Sequence, residues 1–580
     1  MGLVAEQEPK TVVQYVLSRL KDHGLTDIFG VPGDYVYPVL DAIIDDPDIA
    51  WRGNCNELNA GYAADGYARI RGLGVYCQTY GSELGSYLAL AGAYGERSPV
   101  IMITGYPSTA QQASRQAWHH MLGSHRYDLF VDMAEELTVA RAILTPDNCI
   151  EEFERVLAAV LYHQKPGLLA FPSDLAHAPI TSDTPDAIPL ADPTSDPAAL
   201  RQAVDHIAEV LSGVSPTCIV PGLLVQRLGL IALATKLVDA TNLPFTTPYQ
   251  DATTLDETHP NYMGIWQGQF ANPAIDDYVN RCAYVLALSP DRHFFNTGFN
   301  TLTFPQERSI NVNAHHVRVG RAVYDNVEMK DVLEALIDRL PRWEDQGAPN
   351  HVTPYTQASG SGDDPIDAGD PLYARLQAFL RPGDIVVGDP SSPALAATTM
   401  QKPKDCVFES QALAASIGWG TPAALGCAVA APDRRVVIIA GDGAHQIAAQ
   451  EIGQFYKFGL KPVFIVVNND GYLVERYTCR DPESSYNDLP KWRYHQLPAA
   501  FGCEDWYCVR VETTAELDAA LAEVNRTARA AYIEVVTDRY SMPPGAEKLF
   551  ELTRPKFGQT FTWEEWISAF RAGKNIAAPG

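Results

Sequence analysis

The sequence predicts an α/β protein with three doubly wound domains, each built around a parallel sheet. Apolar, β-branched runs at 436–440 and 462–467 flank a stretch with helical spacing. This pattern is typical of a βαβ unit with buried parallel strands. Similar apolar runs recur earlier in the chain, at 74–79 and 100–105. Two stretches with the composition of linkers then divide the 580 residues into three parts.

The two linkers set the domain boundaries that we expect. Residues 175–197 are rich in Pro, Asp, Ser and Thr, and residues 341–370 contain a Ser-Gly-Ser-Gly sequence and few apolar side chains. We therefore predict domains at 1–178, 197–341 and 371–580. The first and third domains read as equivalent runs of βα units. The turns of the central domain contain no Gly-x-Gly-x-x-Gly fingerprint, which argues against a dinucleotide site there.

Composition narrows the class of protein. The chain has 44 Lys and Arg against 71 Asp and Glu, a formal charge of −27, and such a surface repels phosphate backbones. We therefore expect no nucleic-acid partner. The ten cysteines form no Cys-x-x-Cys pair, which argues against a disulfide framework or a zinc site. The first ten residues are polar and no apolar run reaches membrane-spanning length, so we expect a cytoplasmic protein without a membrane partner.

The strongest chemical signal follows two predicted strands of the third domain. Gly441-Asp442-Gly443 ends the first strand and Asn468-Asn469 ends the second, with 24 residues (444–467) between them. Each pattern alone is common in ordinary turns. At the carboxyl edge of one parallel sheet, however, Asp442, Asn469 and the carbonyl of Gly471 are hard oxygen ligands. Such ligands suit Mg²⁺ bound to a phosphate ester.

Three features of the first domain are candidates for chemistry. Glu57 begins a helix of very small residues that can pack closely against a neighbour, although alone it is an ordinary glutamate at a helix N-terminus. Asp34 follows a strand-ending Pro-Gly and alone reads as a turn residue. His119 and His120 have no cysteine or carboxylate at ligand spacing, so they indicate no metal. They are either surface polar residues or acid/base groups in a cleft.

Together these stretches resemble the thiamine diphosphate (ThDP)-dependent 2-keto acid decarboxylases, the group of the pyruvate, indolepyruvate and phenylpyruvate decarboxylases. The resemblance covers nearly the whole chain, and Asp34, the His119-His120 pair and Glu475 are specific to this group. It implies a pyrimidine-binding first domain, a central domain and a diphosphate-binding third domain. The matching stretches are 29–34, 57–69, 119–120, 295–298, 416–418, 441–443 and 468–475.

The resemblance also assigns a cofactor site. Glu57 would activate ThDP through its pyrimidine ring, Ile417 would hold the cofactor bent, and the carbonyl of Ala415 would position the pyrimidine amino group. The Mg²⁺ ligands would be those named above. The residues implied in cofactor binding are Glu57, Ser391, Ala415, Ile417, Asp442, Gly443, Ala444, Asn469, Gly471 and Tyr472.

The implied reaction is the non-oxidative decarboxylation of a 2-keto acid to an aldehyde and CO₂. The cofactor accepts the electron pair that CO₂ leaves behind, and the chain must supply groups that move protons. The candidates are Glu57, Asp34, His119, His120 and Glu475. In this family such groups meet across a dimer interface, so the resemblance implies a homodimer or a dimer of dimers.

Departures from the family bear on the substrate. Val474 stands where pyruvate-specific relatives have isoleucine, and Pro393 stands where relatives can have a bulky aromatic residue. Thr478 stands where an aliphatic residue is usual. With Phe295 and Asn296, these residues form the implied substrate pocket. The loss of bulk predicts a pocket larger than pyruvate needs, unless aromatic residues of the divergent C-terminal tail refill it.

Two other functions remain open from the sequence. A carboligase would use the same intermediate to attack an acceptor aldehyde and form an acyloin, which is a 2-hydroxy ketone. An inactive relative would serve as a binding or regulatory subunit. The presence of Glu57, Asp442, Asn469 and Glu475 together argues against the inactive relative.

Overall fold

A computed structural model describes residues 10–123, 125–182, 190, 192–351, 355, 358–574 and 576. Outside the described residues lie the first nine residues and portions of both predicted linkers, at 183–189, 191, 352–354 and 356–357. The described chain contains three sheets, one in each of the segments where we expect a domain. This arrangement confirms the predicted α/β class with three sheet domains.

Six strands form the first sheet: β1 (Asp27–Gly30), β2 (Ala50–Gly53), β3 (Gly74–Thr79), β4 (Val100–Tyr106), β5 (Ala140–Ile143) and β6 (Gly167–Pro172). All are parallel, and their order is β2-β1-β3-β4-β6-β5. The helices are α1 (Val12–Asp22), α2 (Tyr37–Asp45), α3 (Glu57–Arg71), α4 (Glu83–Gly95), α5 (Thr109–Ser114), α6 (Leu129–Met133) and α7 (Cys149–His163).

Two local details of the first segment test the sequence-based expectations. The apolar spacing of residues 11–20 predicts a helix with Thr11 as its cap, and α1 begins there. The Thr11 hydroxyl accepts from the N–H of Gln14, and the Gln14 side chain accepts from the N–H of Thr11. The sequence also predicts a strand over 136–144, but β5 starts only at Ala140, because Glu135–Leu137 forms a 3₁₀ turn.

Seven strands form the second sheet: β7 (Thr217–Pro221), β8 (Phe245–Thr247), β9 (Tyr262–Ile265), β10 (Tyr284–Leu288), β11 (Ser309–Val312), β12 (His316–Val319) and β13 (Ala322–Asp325). Their order is β13-β12-β11-β10-β7-β8-β9, with β12 and β13 antiparallel at one edge. The helices are α8 (Pro197–Leu211), α9 (Leu223–Arg227), α10 (Ile231–Thr241), α11 (Pro273–Arg281) and α12 (Met329–Arg339). The sequence predicts a helix over 228–241, but α10 starts only at Ile231, because Gly229, with a φ of 69°, separates it from α9.

Six strands form the third sheet: β14 (Ile385–Gly388), β15 (Val407–Ser410), β16 (Val436–Gly441), β17 (Val463–Asn468), β18 (Tyr507–Val511) and β19 (Ala531–Val536). Their order, β15-β14-β16-β17-β19-β18, repeats that of the first sheet. The helices are α13 (Asp370–Phe379), α14 (Ser392–Thr399), α15 (Gly420–Ala430), α16 (Asp442–Ala448), α17 (Ile452–Lys457), α18 (Leu473–Thr478), α19 (Leu497–Ala500), α20 (Thr514–Thr527), α21 (Ala546–Thr553) and α22 (Trp563–Arg571).

Packing divides the chain into two compact units. The first contains Met1–Asp192, Thr421–Asp433 and Gln450–Leu460, and the second contains Pro193–Gly420, Arg434–Ala449 and Lys461–Gly580. In the first unit, the small residues of α3 bring it against α15. A Cβ at Gly66 would lie 2.0 Å from the carbonyl oxygen of Ala423, and one at Gly426 would lie 1.9 Å from that of Ala63. The low bulk of α3 therefore serves close helix packing, as its sequence predicts.

The C-terminal tail packs within the second unit. Trp563 and Trp566 of α22 are buried in an apolar cluster with Leu473 and Tyr477 of α18. The Tyr477 and Trp563 rings lie edge to face at 6.3 Å. The tail therefore supports the helix that carries Glu475. Among the described residues, none of the helices combines the length and the apolar composition that crossing a membrane requires.

Candidate active site

A cavity of about 260 Å³ lies at the carboxyl edge of the third sheet. It forms there because β16 and β17 are adjacent parallel strands, with Gly441 opposite Val467, so their polar ends emerge side by side. Most of the residues that the sequence assigns to the third domain line this one cavity. They are Ser391, Pro393, Ala415, Ile417, Asp442, Gly443, Ala444, Asn469, Gly471, Tyr472, Val474 and Glu475.

The predicted metal ligands have the environment that a divalent cation needs. Asp442 is 2 % exposed, and burial raises the pKa of its carboxyl to about 7. Its two oxygens accept from the N–H groups of Gly443 at 2.9 Å and Gly471 at 3.1 Å. Within the described residues, the buried Oδ1 of Asn469 has no hydrogen-bond partner. A buried carboxylate beside an unsatisfied amide oxygen fits Mg²⁺, which is charged and prefers oxygen ligands.

Glycine is required at two positions beside these ligands. Gly471 has a φ of 155°, and a Cβ there would lie 2.6 Å from both the Arg476 guanidinium and the Asn487 carbonyl. A Cβ at Gly443 would lie 2.5 Å from the Tyr472 ring. Any larger residue would therefore displace the backbone that the sequence assigns to the diphosphate.

A tight turn follows β15 and contains Ala415 and Ile417. Ala415 has a φ of 50°, an uncommon conformation for a residue that is not glycine. Ile417 is 40 % exposed although it is large and apolar. An exposed isoleucine on a strained turn at the edge of a cavity is consistent with a surface that a ligand covers.

The predicted substrate residues divide into two groups. Phe295, Pro393 and Val474 line the cavity. Asn296 and Thr478 do not: the Asn296 amide bonds the N–H of Gln250 and the carbonyl of Asp291, and the Thr478 hydroxyl donates to the Val474 carbonyl. The tail residues Phe557, Phe561 and Trp563 are not among the lining residues either.

Tyr249 and Gln411 are among the lining residues that sequence reasoning missed. Tyr249 stacks on Phe295 with ring centroids 6.0 Å apart and forms an aromatic wall. Gln411 is fully buried, and neither end of its amide has a partner within the described residues. Neither residue belongs to a recognisable motif, because each reaches the cavity only through the tertiary fold.

The acid/base candidates of the first domain form a separate cluster in the first unit. Asp34 Oδ2 lies 2.8 Å from His119 Nε2, and the Tyr35 hydroxyl lies 3.3 Å from His119 Nδ1. The His119 and His120 rings are 4.7 Å apart. Tyr35 is 3 % exposed and stacks on His119, so it fixes the imidazole plane. The histidines, which show no carboxylate partner in sequence, therefore have one in space.

Glu57 is half-buried at the first turn of α3, in the same unit. The loop before it is held by Glu451, which is fully buried. Glu451 accepts from the Asn54 amide at 2.7 Å, the Cys55 N–H at 3.2 Å and the Asn59 amide at 2.8 Å. Burial raises the pKa of Glu451, and these donors lower it. No motif signals this support, because Glu451 is almost four hundred residues away along the chain.

Comparisons with known proteins agree with this architecture. Three family models of thiamine pyrophosphate (another name for ThDP) enzymes match in order. The N-terminal TPP binding domain matches residues 10–129, the central domain residues 204–340, and the C-terminal TPP binding domain residues 387–535. A solved structure titled benzoylformate decarboxylase, from Polynucleobacter necessarius, superposes with a TM-score of 0.75. It is 18% identical and covers 92% of this chain and 100% of its own, so it bears on the fold alone.

Curated relatives extend the match to nearly the full length. The alpha-keto-acid decarboxylase of Mycobacterium leprae (strain TN) is 35% identical over 557 residues, which are 94% of this chain and 95% of the relative. The protein of the same name from Mycolicibacterium paratuberculosis is 36% identical over 563 residues, 95% of this chain and 98% of the relative. The chain therefore belongs to the thiamine diphosphate-dependent 2-keto acid decarboxylases.

Proposed function

We propose that this enzyme decarboxylates a 2-keto acid with a branched or aromatic side chain to the corresponding aldehyde and CO₂, with ThDP and Mg²⁺ as cofactors. The observation that carries the proposal is the cavity at the carboxyl edge of the third sheet. It gathers the oxygen ligands Asp442 and Asn469, the turn of Ala415 and Ile417, and Glu475. Along this cavity, the oxygen ligands would bind the anionic end of the cofactor through a metal ion. The turn would contact its apolar ring.

Different residues of the cavity would bind Mg²⁺ and the diphosphate of ThDP. Asp442, Asn469 and the Gly471 carbonyl would hold Mg²⁺, while Ser391, Gly443, Ala444 and Tyr472 would contact the diphosphate region. When bound, ThDP supplies the electron sink for loss of CO₂. The Oδ1 of Asn469, which has no partner in the part of the chain that the structure describes, supports this assignment. A buried oxygen without a donor costs free energy unless a ligand binds it.

Protons would be moved by groups of both units. We assign Glu57 to the pyrimidine ring of the cofactor, and Asp34, His119, His120 and Glu475 to proton delivery and aldehyde release. The contact of 2.8 Å between Asp34 and His119 supports their action as a pair. The Asp34 carboxylate would hold the His119 ring in place while the pair passes a proton to the product.

A second copy of the chain would complete the site. We propose a homodimer, or a dimer of dimers, in which Glu57 of one subunit serves the cofactor held by the other. Large apolar side chains at the surface support an interface: Leu84 and Leu88 of α4 are 44% and 53% exposed, and Leu413 beside the cofactor turn is 44% exposed. Leu84 and Leu88 lie one turn apart on α4, and adjoining apolar side chains at a surface are normally covered by a partner.

The preference for a large substrate rests on the cavity wall. Tyr249 and Phe295 stack on each other, and Val474 and Pro393 line the same cavity. Aromatic and aliphatic surfaces of this kind bind apolar side chains, at about 25 cal/mol per Å² removed from water. Pyruvate carries only a methyl group and would leave much of this wall exposed.

The test is CO₂ release from a panel of 2-keto acids, including pyruvate, 2-ketoisocaproate and phenylpyruvate, with and without Mg²⁺ and ThDP. We expect activity that needs both cofactors and a higher kcat/KM for the larger acids. Product analysis with and without an added aldehyde separates decarboxylation from carboligation, the alternative that the same cavity would serve. Absence of CO₂ release from every keto acid would overturn the proposal.

A further inference from the structure

Asp389 is a buried acid with no assigned role. It follows β14 directly and has no exposed surface. Its Oδ1 accepts a hydrogen bond from the N–H of Gly418 at 2.9 Å, and its Oδ2 has no partner within the described residues. Burial raises the pKa of this carboxyl to about 7. An acid in such a place is unfavourable for stability, which points to a role that the fold alone does not require.

The hydrogen bond from Gly418 fixes the turn that carries Ala415 and Ile417. Within this turn the Ala415 N–H donates to the Gln411 carbonyl at 3.1 Å. Ala415 has a φ of 50° and Gly418 a φ of 88°, so two of its residues are left-handed. An alanine in this conformation persists only where its surroundings determine it. The Asp389 carboxylate is one such determinant.

The other side of Asp389 is tied to the strand ends. Its N–H donates to the Ile439 carbonyl of β16 at 3.0 Å. Its carbonyl accepts from the Ser391 hydroxyl at 2.6 Å, and that hydroxyl accepts from the Gly441 N–H at 3.3 Å. Gly420 packs against the acid so closely that a Cβ there would lie 2.6 Å from the Asp389 Cβ. Asp389 therefore contacts both the turn and the strand that leads to Asp442.

We propose that Asp389 is a positioning residue that sets the spacing between the Ala415–Ile417 turn and the Gly441–Asp442 strand end. The inference rests on the proposed function, in which the turn holds the pyrimidine side of ThDP and the strand end holds the diphosphate side. Asp389 is absent from the lining of the cavity, so it acts through the two segments that it joins. As a consequence, the turn and the strand end keep a constant distance from each other before the cofactor binds.

The test compares two variants of the apo-protein. Asp389→Leu keeps the branched shape of the side chain without an acceptor, whereas Asp389→Asn keeps an acceptor for the Gly418 N–H. In the leucine variant we expect hydrogen exchange of peptides spanning 412–420 to accelerate at least about tenfold, and the Kd for ThDP to rise about 10–100-fold, as for other outer-shell partners. The asparagine variant should stay within a few-fold of wild type in both measurements.

Asp251→Leu is the matched control. Asp251 is equally buried, but it accepts from the N–H of Leu223 at the start of α9, at 3.0 Å, whereas Asp389 accepts from the turn. Loss of Asp251 should lower stability without changing exchange at 412–420. Wild-type exchange and ThDP affinity in Asp389→Leu would overturn the inference. If that variant does not fold, rapid exchange of the Gly418 amide in folded wild-type apo-protein would overturn it, and slow exchange would support it.

The outcomes also separate this inference from the proposed function. If Asp442→Ala keeps its affinity for ThDP, the proposed cofactor site is wrong, whatever Asp389 does. If Asp442→Ala loses affinity while Asp389→Leu retains it, only the positioning role is wrong. Exchange at 412–420 needs no cofactor, so it reports on the turn in either case.

Discussion

The first and third sheets share one strand order but end in different side chains. In the third sheet, β16 and β17 lead into Asp442 and Asn469, which line a cavity. In the first sheet, the equivalent strands β3 and β4 lead into Tyr80 and Tyr106. Those rings meet edge to face at 4.7 Å and are buried. The same sheet edge is therefore packed by aromatic rings in one case and lined by ligand-like groups in the other.

Each edge also contains a buried acid, and the two acids differ in their partners. Burial raises the pKa of Glu83 to about 7, as it does for Asp442. Glu83 accepts from the Thr104 hydroxyl at 2.7 Å among tyrosine side chains. Asp442 accepts from two backbone N–H groups beside glycines. The strand order therefore gives both sheets the same carboxyl edge. Only the glycines and oxygen ligands of the third sheet make that edge a binding site.

The largest expected effect tests whether the first unit contributes to the chemistry at all. Glu57→Gln should lower kcat about 10²–10⁴-fold, the usual range for a proton-transferring group. The variant should keep its fold and bind ThDP, which titration of the apo-protein would establish. Glu151→Gln is the control, because Glu151 is an exposed glutamate in the first turn of α7. Equal activity of the two variants would mean that Glu57 is only a helix-terminal glutamate.

The second largest expected effect tests whether the carboxyl edge of the third sheet binds the cofactor. Asp442→Ala removes the charged oxygen ligand, so the Kd for ThDP in the presence of Mg²⁺ should rise by at least about 100-fold, more than for loss of an outer-shell partner. Glu83→Gln, at the equivalent edge of the first sheet, should leave that Kd unchanged. Isothermal titration of both apo-variants makes the comparison. Similar losses in both would contradict the assignment of Mg²⁺ and the diphosphate to the third sheet.

The third effect concerns Glu83 and stability. Its folded pKa of about 7 lies above the ordinary glutamate pKa of 4.5, so the folded state holds the proton more tightly than the unfolded state. Stability from this group is therefore complete below pH 4.5 and is lost as the pH rises through 7. The loss amounts to about 3 kcal/mol.

Glu83→Gln should remove this contribution to the pH dependence of stability and leave the contributions of other titrating groups unchanged. Urea unfolding gives the free energy of unfolding of wild type and variant at pH 5 and pH 8.5. The change between the two pH values is then compared between the two proteins. The variant should gain stability relative to wild type at the higher pH. A parallel loss in both proteins would mean that Glu83 stays charged in the fold.

The smallest expected effect concerns substrate choice. Val474→Ile adds one buried methylene to the cavity wall, worth roughly 0.8 kcal/mol, or about fourfold. It should narrow the preference for phenylpyruvate over pyruvate by that factor, measured as the ratio of the two kcat/KM values. Ile447→Val is the control, because Ile447 lies in the same unit and does not line the cavity. A wild-type preference for pyruvate would refute the argument from pocket size.

The sequence predicted the features that short motifs determine and the βα pattern that repeats along the chain. The Gly441-Asp442-Gly443 and Asn468-Asn469 strand ends could be found because a short run of residues determines them. The expected parallel sheets were confirmed, apart from the antiparallel β12 and β13 at one edge. Tyr249 and Gln411 could not be found, because their place in the cavity depends on contacts between distant segments. The same holds for Glu451, which reaches the Glu57 loop through helix packing.

The packing of the tail on α18 has a consequence for biosynthesis. Helix α18 carries Glu475, yet its apolar side is covered by Tyr540, Trp563 and Trp566. These residues leave the ribosome long after β17 does, several seconds later at about 5–20 residues per second. Until then the helix exposes Leu473 and Tyr477, and the nascent enzyme has an unfinished site. Synthesis therefore couples the appearance of activity to the emergence of residue 566.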